Sequence, residues 1–269
     1  MTATEEPSKG REDGPQDPKK ANDEGRMSLV EHLTELRTRL IRSVIAIAVG
    51  AVVGWIFFPQ IIEFILEPYC DSISDSERPD CTLRVDEPLE SLSTRMMVAG
   101  YVGIGLAVPV WLWQAWRFIA PGLYPHERRH GITFVMLGVF LFAAGASLAF
   151  WTLPRALEFL IEIGGPDFYA EFRARAYIEF VIKMMLAFGL GFEFPLVLVF
   201  LQILGVVTPE ALARQRRLAI VGIVILVAVI TPSGDPISLI ALAGPMYLFY
   251  EGAIIFGKLR NRRRSRVDA

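Results

Sequence analysis

Glu193 is the acidic side chain whose position is hardest to explain by membrane insertion alone. It lies between Gly191 and Pro195 in a long apolar stretch, where an ionisable group is energetically costly and by default marks a functional site. Pro195 has no N–H to offer the carbonyl of Gly191, so a kink and a second polar group are expected beside it. The simpler alternative is a protonated Glu193 that is hydrogen-bonded to a neighbouring helix.

Two further carboxylates, Glu35 and Glu127, lie in polar stretches that flank apolar ones. Glu35 precedes Arg39 by four residues, so a solvated helical ion pair is the simpler interpretation. Glu127 follows Pro125, which suits the first turn of a helix, and capping of that helix is the simpler interpretation there. If both carboxylates lie at the cytoplasmic surface, they suit a ligand with two guanidinium groups, because arginine binds carboxylates through a planar fork.

The apolar stretches that position these groups predict an all-α integral membrane protein. Hydrophobic residues make up 53% of the 269 residues and charged residues 21%, and the mean hydropathy is +0.41, whereas an average soluble domain is less apolar. A helix needs roughly 20 residues to cross the apolar core of a bilayer. The last two of the predicted spans are short, and the fifth has to thin the bilayer or shelter against its neighbours. Six spans are predicted, at about residues 43–62, 97–116, 131–153, 177–203, 218–230 and 237–256.

The distribution of Lys and Arg sets the predicted orientation. Basic residues are concentrated beside the span ends that share a side with both termini, which predicts cytoplasmic N- and C-termini. Residues 1–26 are predicted to be a disordered cytoplasmic tail, followed by an amphipathic helix at the membrane surface. The membrane domain is predicted at 27–258, with a first extracytoplasmic loop at about 63–95 and an Arg-rich cytoplasmic tail at 259–269.

The two cysteines, Cys70 and Cys81, fall in that first extracytoplasmic loop. Because the compartment is oxidising and the chain has no other cysteine, a disulfide between them is predicted, with two free thiols as the alternative. Two Cys and three His are too few for a multi-ligand metal site built from these residues. The sequence also has no Gly-rich phosphate loop and no Ser nucleophile elbow. Neither a metal, a cofactor nor an enzymatic activity is therefore expected.

Several long motifs occur in one order along the chain, and in them the sequence resembles the TatC family. Members of this family are the large polytopic subunits of the twin-arginine protein translocase. The resemblance covers roughly residues 28–260. The motifs are the helix 31–37, the loop 118–128, the intramembrane segment 191–195, Thr231-Pro232 with Asp235, and Pro245-Met246-Tyr247 with Glu251.

The resemblance implies a receptor that binds twin-arginine signal peptides and takes part in the export of folded proteins, driven by the proton-motive force. It implies a cell-membrane location, no nucleic acid partner, and a multimeric complex with single-span subunits of the TatA and TatB type. Glu193 would be the intramembrane polar site that faces those subunits. The signal-peptide site would consist of Glu35, Arg37, Phe118, Pro121, Tyr124 and Glu127, and other candidate functional residues are Pro68, Asp235 and Glu251.

Two other classes of function remain alternatives to this interpretation. A proton-coupled transporter of small solutes would use Glu193 as its carrier group. An intramembrane enzyme is disfavoured, because the predicted spans contain no His, Cys or paired-Asp constellation.

Overall fold

The computed structural model describes residues 29–72, 85, 87–119, 131–163, 173–232 and 234–267. The regular elements within these ranges are all helices, which confirms the predicted all-α class. They are α1 (Leu29–Ile56), α2 (Phe58–Ser72), α3 (Glu90–Leu106), α4 (Val108–Ile119), α5 (Gly131–Glu162), α6 (Ala174–Phe192), α7 (Phe194–Ile203), α8 (Pro209–Arg214), α9 (Arg216–Ile230) and α10 (Pro236–Val267).

The chain divides into two compact units, Met1–Thr38 and Arg39–Ala269. The described part of the first unit is the beginning of α1. Leu33 and Leu36 are exposed there, and the amphipathic helix at a membrane surface stays a prediction. The second unit holds the rest of α1 and all the other described helices.

The membrane-spanning potential of the second unit follows from helix length and apolarity. Among the described residues, four helical stretches are long and apolar enough to cross a bilayer, and the bent pair α3–α4 makes a fifth if it is counted as one span. Helix α9 has 15 residues, fewer than the roughly 20 that a crossing requires, as the sequence predicts. The four stretches are Leu33–Ile56, Gly131–Glu162, Ala174–Ile203 and Pro236–Arg262.

Three of the helical stretches break at a residue that stands two places before a proline. A proline lacks the N–H that would bond the carbonyl four residues earlier, and its ring clashes with that carbonyl. The backbone stays hydrogen-bonded on both sides of the first break, where Phe57 N donates to Val53 O and Ile61 N donates to Phe57 O, each at 3.0 Å. The break residues Phe57, Ala107 and Glu193 precede Pro59, Pro109 and Pro195.

These breaks correct several predicted boundaries. The predicted first span, 43–62, continues past the end of α1 at Ile56 and into α2. The predicted second span, 97–116, is two helices, α3 and α4, bent by 45°. The predicted extracytoplasmic loop 63–95 is partly helical, since it contains the second half of α2 and the start of α3, and its position outside the membrane stays a prediction. At the other end of the chain, α10 continues to Val267 through most of the predicted Arg-rich tail.

The main core forms around α6, which packs on α3, α5 and α10. Phe188 of α6 is fully buried, and Gly145 of α5 lies against its backbone. A Cβ atom added at Gly145 would come within 2.4 Å of the Phe188 carbonyl oxygen. Small residues of this kind let membrane helices approach closely. The tight packing of α5 on α6 fixes the end of α6, where Glu193 follows.

Candidate functional site

Glu193 occupies the break between α6 and α7, inside the apolar stretch Ala174–Ile203. Its backbone is bonded on both sides, because Glu193 N donates to Leu190 O and Val197 N donates to Glu193 O, each at 3.1 Å. The residue is only 5% exposed. Neither carboxylate oxygen has a hydrogen-bond partner among the residues that the structure describes. A buried carboxyl in this condition is energetically unfavourable until a partner group meets it.

The Glu193 carboxylate lies over the backbone of α5 at Gly138. A Cβ atom added at Gly138 would be 3.2 Å from Glu193 Oε2 and 2.6 Å from Leu112 Cδ1 of α4. Leu112 belongs to an apolar cluster with Val108 and Leu196. The site is thus a single polar group in an apolar setting between α4, α5 and the α6–α7 break. It can accept a hydrogen bond from a polar side chain, or donate one when it is protonated.

Lys183, ten residues before Glu193, is bound elsewhere. Its Nζ lies 2.5 Å from Glu179 Oε1, one helical turn back along α6. Both side chains are partly exposed. Lys183 is therefore not the partner of Glu193.

In the first unit, the described site residues are Glu35 and Arg37, both on α1. Glu35 is half-buried and Arg37 is exposed. The hydroxyl of Thr38 donates to Thr34 O at 3.0 Å, as is common for a threonine inside a helix.

In the second unit, Phe118 lies in the last turn of α4 and is half-buried. The same turn is bound by Arg39, whose Nη1 donates to Gln114 O at 3.3 Å and whose Nη2 donates to Arg117 O at 3.0 Å. The predicted residues Pro121, Tyr124 and Glu127 lie outside the described residues. The pairing of Glu35 with Glu127 therefore stays a prediction.

Pro68 lies in the packed interior, and Asp235 begins a helix. Pro68 is buried inside α2, and the following Tyr69 has its ring 5.1 Å from that of Tyr177, whose hydroxyl donates to Ile65 O at 2.9 Å. Asp235 is buried, and its Oδ1 accepts a 2.7 Å hydrogen bond from Ser238 N. Asp235 is thus the N-cap of α10, directly before a proline, a common start of a helix.

Glu251 joins α9 to α10. Its Oε2 lies 2.8 Å from Arg216 Nη2, and its Oε1 accepts a 3.2 Å hydrogen bond from the hydroxyl of Tyr247. These contacts hold α9 against α10, and a functional role of Glu251 stays a prediction. No group of three or more His, Cys, Asp or Glu side chains within the described ranges is arranged to hold a metal ion.

The cysteine pair falls at the edge of the described region. Cys70 lies in α2, but its side chain and the whole of Cys81 are outside the described residues. The disulfide therefore stays a prediction.

Two residues at the sites were not identified from the sequence. Gly138 is a glycine inside an apolar run, and nothing in a single sequence assigns Glu193 to it as a neighbour. Arg39 was interpreted as the helical partner of Glu35, whereas it also contacts the end of α4. Both contacts join residues more than 50 positions apart, and one sequence has no direct signal for such pairs.

Comparisons with known proteins agree on one family. The model of the family described as Sec-independent protein translocase protein (TatC) matches residues 31–245. The TatC protein of Frankia casuarinae is 39% identical over 252 residues, which is 91% of this chain and 69% of that protein. The TatC protein of Aquifex aeolicus is 39% identical over 245 residues, which is 90% of this chain and 99% of that protein. A crystal structure of the twin arginine translocase receptor TatC matches with a TM-score of 0.71 and 39% identity, covering 85% of this chain and 99% of that one.

Proposed function

The chain belongs to the TatC family, and from this we propose that it is the receptor subunit of a twin-arginine translocase. In that role it binds the signal peptides of folded proteins and takes part in their export across the membrane. The observation that carries the proposal is the family match over residues 31–245, because this range includes Glu35, Glu127 and Glu193. A translocase subunit of this kind is a receptor and transport component rather than a catalyst.

We propose a multi-pass protein of the cell membrane with six crossings and both termini in the cytoplasm. The crossing that helix length alone leaves out is the short α9, the fifth in chain order. Exposed arginine and lysine side chains beside the predicted spans support this orientation, since cytoplasmic flanks are enriched in both. On the proposed cytoplasmic side these are Arg42, Arg117, Arg214, Arg217 and Lys258. The charged segments 1–26 and 259–269 would then be cytoplasmic as well.

Recognition of the arginine pair is proposed to rest on Glu35 and Glu127, with Arg37, Phe118, Pro121 and Tyr124 shaping the same patch. A carboxylate that meets a guanidinium forms a charge-assisted hydrogen bond worth about 1.5–3 kcal/mol. Loss of one such contact corresponds to at least about tenfold weaker binding. A Lys pair presents point charges and not planar forks, so it should bind less well than the Arg pair.

The test is the affinity of the full-length protein, in lipid nanodiscs, for a synthetic signal peptide with an Arg-Arg or a Lys-Lys pair. We expect Glu35→Ala and Glu127→Ala each to weaken binding of the Arg-Arg peptide about tenfold or more. Glu210→Ala is the matched control, because it removes an exposed carboxylate from the same proposed side of the membrane. Equal binding of both peptides by the unmodified protein would count against the proposal. Unchanged affinity in Glu127→Ala would exclude that residue from the site.

Glu193 is proposed to be the contact for the transmembrane helix of a single-span subunit of the TatA or TatB type. The support is its burial at 5% exposure and the absence of a hydrogen-bond partner for its carboxylate among the described residues. A polar side chain from a partner helix would satisfy the carboxyl group within the bilayer, where such contacts stabilise association. The complete translocase is then a multimeric complex of these subunits in the lipid bilayer.

The alternative of a proton-coupled solute transporter receives no support from the comparisons. Its test is proton uptake into liposomes that contain the isolated chain. Uptake that depends on a small solute would favour the alternative, and its absence would favour the translocase subunit.

A disulfide between Cys70 and Cys81 is proposed for the first extracytoplasmic loop. Closing a loop of this size stabilises a protein by roughly 3 kcal/mol in the chain-entropy model. Alkylation of the oxidised protein followed by mass measurement should find no labelled cysteine until a reductant is added. Two labelled cysteines without reductant would exclude the bridge. Cys→Ser at both positions should leave signal-peptide binding intact.

A further inference from the structure

Arg39 holds the last turn of α4. Its guanidinium reaches from α1 to two backbone carbonyls, Gln114 O at 3.3 Å from Nη1 and Arg117 O at 3.0 Å from Nη2. The hydroxyl of Ser43 donates in turn to Arg39 O at 3.1 Å, within α1. One side chain thus bridges the two helices with both arms of its planar fork.

The end of α4 needs such a donor. The last four carbonyls of a helix have no partner inside the helix, and they carry its negative dipole end. Arg117 O is one of these, because α4 ends at Ile119. A guanidinium satisfies the carbonyl and places a positive charge at the favourable end of the helix.

The same turn is anchored on another side by Trp116. This residue is 5% exposed, and its ring lies 4.8 Å from that of Phe134, centroid to centroid. A Cβ atom added at Gly131, the first residue of α5, would overlap the Trp116 indole. Trp116 therefore fixes α4 against the start of α5, and Arg39 fixes the carbonyl end of the same turn. Phe118 follows directly.

The hydrogen bonds of Arg39 point to an action through the backbone of α4. The carbonyls of Gln114 and Arg117 take up the hydrogen-bonding capacity of the Arg39 fork on the side of α4. Without the Arg39 guanidinium, this end of α4 should fray, and the fraying should be confined to its last turn.

We propose that Arg39 is a positioning residue for signal-peptide recognition. It holds the last turn of α4, and so sets the position of Phe118 without touching the peptide. The inference rests on the proposed receptor function. It goes beyond that function by giving Arg39 an indirect role, through the backbone of α4, beside the residues that are proposed to line the patch.

The experiment compares Arg39→Gln, Arg39→Lys and Arg42→Gln in the full-length protein in nanodiscs. Arg42 is the matched control, because it is an exposed arginine of the same helix, three residues on. The two measurements are backbone hydrogen exchange in residues 113–118 and affinity for a synthetic Arg-Arg signal peptide. Thermal unfolding is recorded as well, since loss of a single cap should leave the midpoint nearly unchanged.

We expect Arg39→Gln to exchange faster in residues 113–118 and to bind the peptide about tenfold more weakly. Arg39→Lys should restore part of both, because lysine keeps the positive charge and a hydrogen-bond donor group but not the planar fork. Arg42→Gln should match the unmodified protein in exchange and in affinity. This pattern would support the positioning role.

Unchanged exchange in Arg39→Gln would overturn the inference, and so would faster exchange with unchanged peptide affinity. A large fall in the unfolding midpoint of Arg39→Gln that Arg39→Lys does not rescue would show that Arg39 has only a structural role. Failure of the proposed function is recognised separately. In that case the unmodified protein does not distinguish Arg-Arg from Lys-Lys peptides, and the recognition role of Arg39 is excluded with it.

Discussion

The α1–α2 break and the α6–α7 break each lie two residues before a proline. They differ in whether the chain supplies a partner for the polar group at the break. At the first, Pro59 frees the carbonyl of Trp55, four residues earlier. At the second, Pro195 does the same for Gly191, and the break residue is Glu193. The first break is closed by a residue of the same chain, while the second leaves a carboxylate without a hydrogen-bond partner among the described residues.

Arg95 closes the first break. Its Nη2 donates to Trp55 O at 3.0 Å. Its guanidinium also lies 4.5 Å from the centre of the Trp55 ring and 5.3 Å from that of Phe58, within the range of a cation–π contact. The Trp55 carbonyl that Pro59 frees is thus hydrogen-bonded by the Arg95 guanidinium of α3, so this break is a structural one.

The difference teaches how to separate a structural break from a functional one. A proline in a membrane helix exposes backbone polarity, and the rest of the chain normally satisfies it. Where the chain supplies that partner, substitution of the partner residue should lower the free energy of unfolding. Where it does not, substitution of the unsatisfied polar residue should weaken association with other subunits and leave the free energy of unfolding equal or higher.

The largest expected effect is at Arg95. Arg95→Ala leaves Trp55 O without its donor and removes the cation–π contact, which together should lower the free energy of unfolding by about 1–3 kcal/mol. Arg95→Lys should recover part of this loss. The measurement is thermal unfolding in nanodiscs, with copurification of partner subunits as a second readout that should stay unchanged.

Arg155→Ala is the matched control for Arg95. The Arg155 guanidinium lies 4.3 Å from the centre of the Trp151 ring, so the variant removes a similar aromatic contact. Arg155 Nη1 also donates to Trp151 O, at 3.4 Å, but no proline frees that carbonyl, since Pro154 stands only three residues after it. Equal destabilisation in the two variants would show that the carbonyl at the Phe57 break contributes nothing.

Glu193 should respond in the opposite sense. Glu193→Leu removes a buried carboxyl without a described partner, so the free energy of unfolding should be unchanged or higher by about 1 kcal/mol. Association with single-span subunits should weaken by about 0.6–2 kcal/mol, the range for polar contacts between membrane helices. Glu193→Gln should keep part of that association, because an amide still forms hydrogen bonds.

Copurification of the partner subunits, measured beside thermal unfolding, tests whether Glu193 contacts those subunits. Wild-type copurification with Glu193→Leu would remove Glu193 from the partner surface. Marked destabilisation of the isolated chain by Glu193→Leu would instead mean that the fold satisfies the Glu193 carboxyl, as Arg95 satisfies the Trp55 carbonyl at the Phe57 break.

The smallest effect is expected at Gly138. A methyl group there meets Leu112 Cδ1 at 2.6 Å and both Glu193 oxygens at 3.2 and 3.3 Å. Leu112 can shift, so Gly138→Ala should change the free energy of unfolding by less than about 1 kcal/mol. Displacement of the carboxylate should reduce association with partner subunits about twofold to threefold.

Gly100→Ala calibrates this result, since a Cβ atom added at Gly100 meets nothing within 4 Å. Both variants gain helix propensity, by about 1 kcal/mol in an exposed helix. Only Gly138→Ala should combine a smaller gain in the free energy of unfolding with weaker association with partner subunits. Identical behaviour of the two variants would mean that the Gly138 contact does not position Glu193.

Glu193 was identifiable from the sequence because an ionisable residue in an apolar stretch is rare and costly. The flanking Pro195 also predicted a disturbance of the helix, and the structure has a break between α6 and α7 at Glu193. The surroundings of the carboxylate were not predictable, because Gly138 and Leu112 come from other helices and one sequence does not specify which helices pack together. Hydropathy likewise passes smoothly over Pro59 and Pro109, so the breaks beside them were missed.

The recognition site shows a different limit. Its residues were predicted from motifs, and the described part contains Glu35, Arg37 and Phe118. The role of Arg39 depends on a contact between α1 and the end of α4, which local spacing does not encode. Local spacing instead favoured the Glu35–Arg39 pair, since residues four apart are neighbours on any helix.

Helix α9 has a consequence for the order in which the chain is inserted during its synthesis. At 15 residues it is about 22 Å long, too short to settle across a bilayer by itself. Its main packing partner among the described helices is α10, to which the Arg216–Glu251 ion pair joins it. The hydroxyl of Tyr250 in α10 also donates to Leu212 O, just before α9, at 2.8 Å. These contacts exist only after α10 has left the ribosome, so α9 and α10 are expected to enter the membrane together as a hairpin.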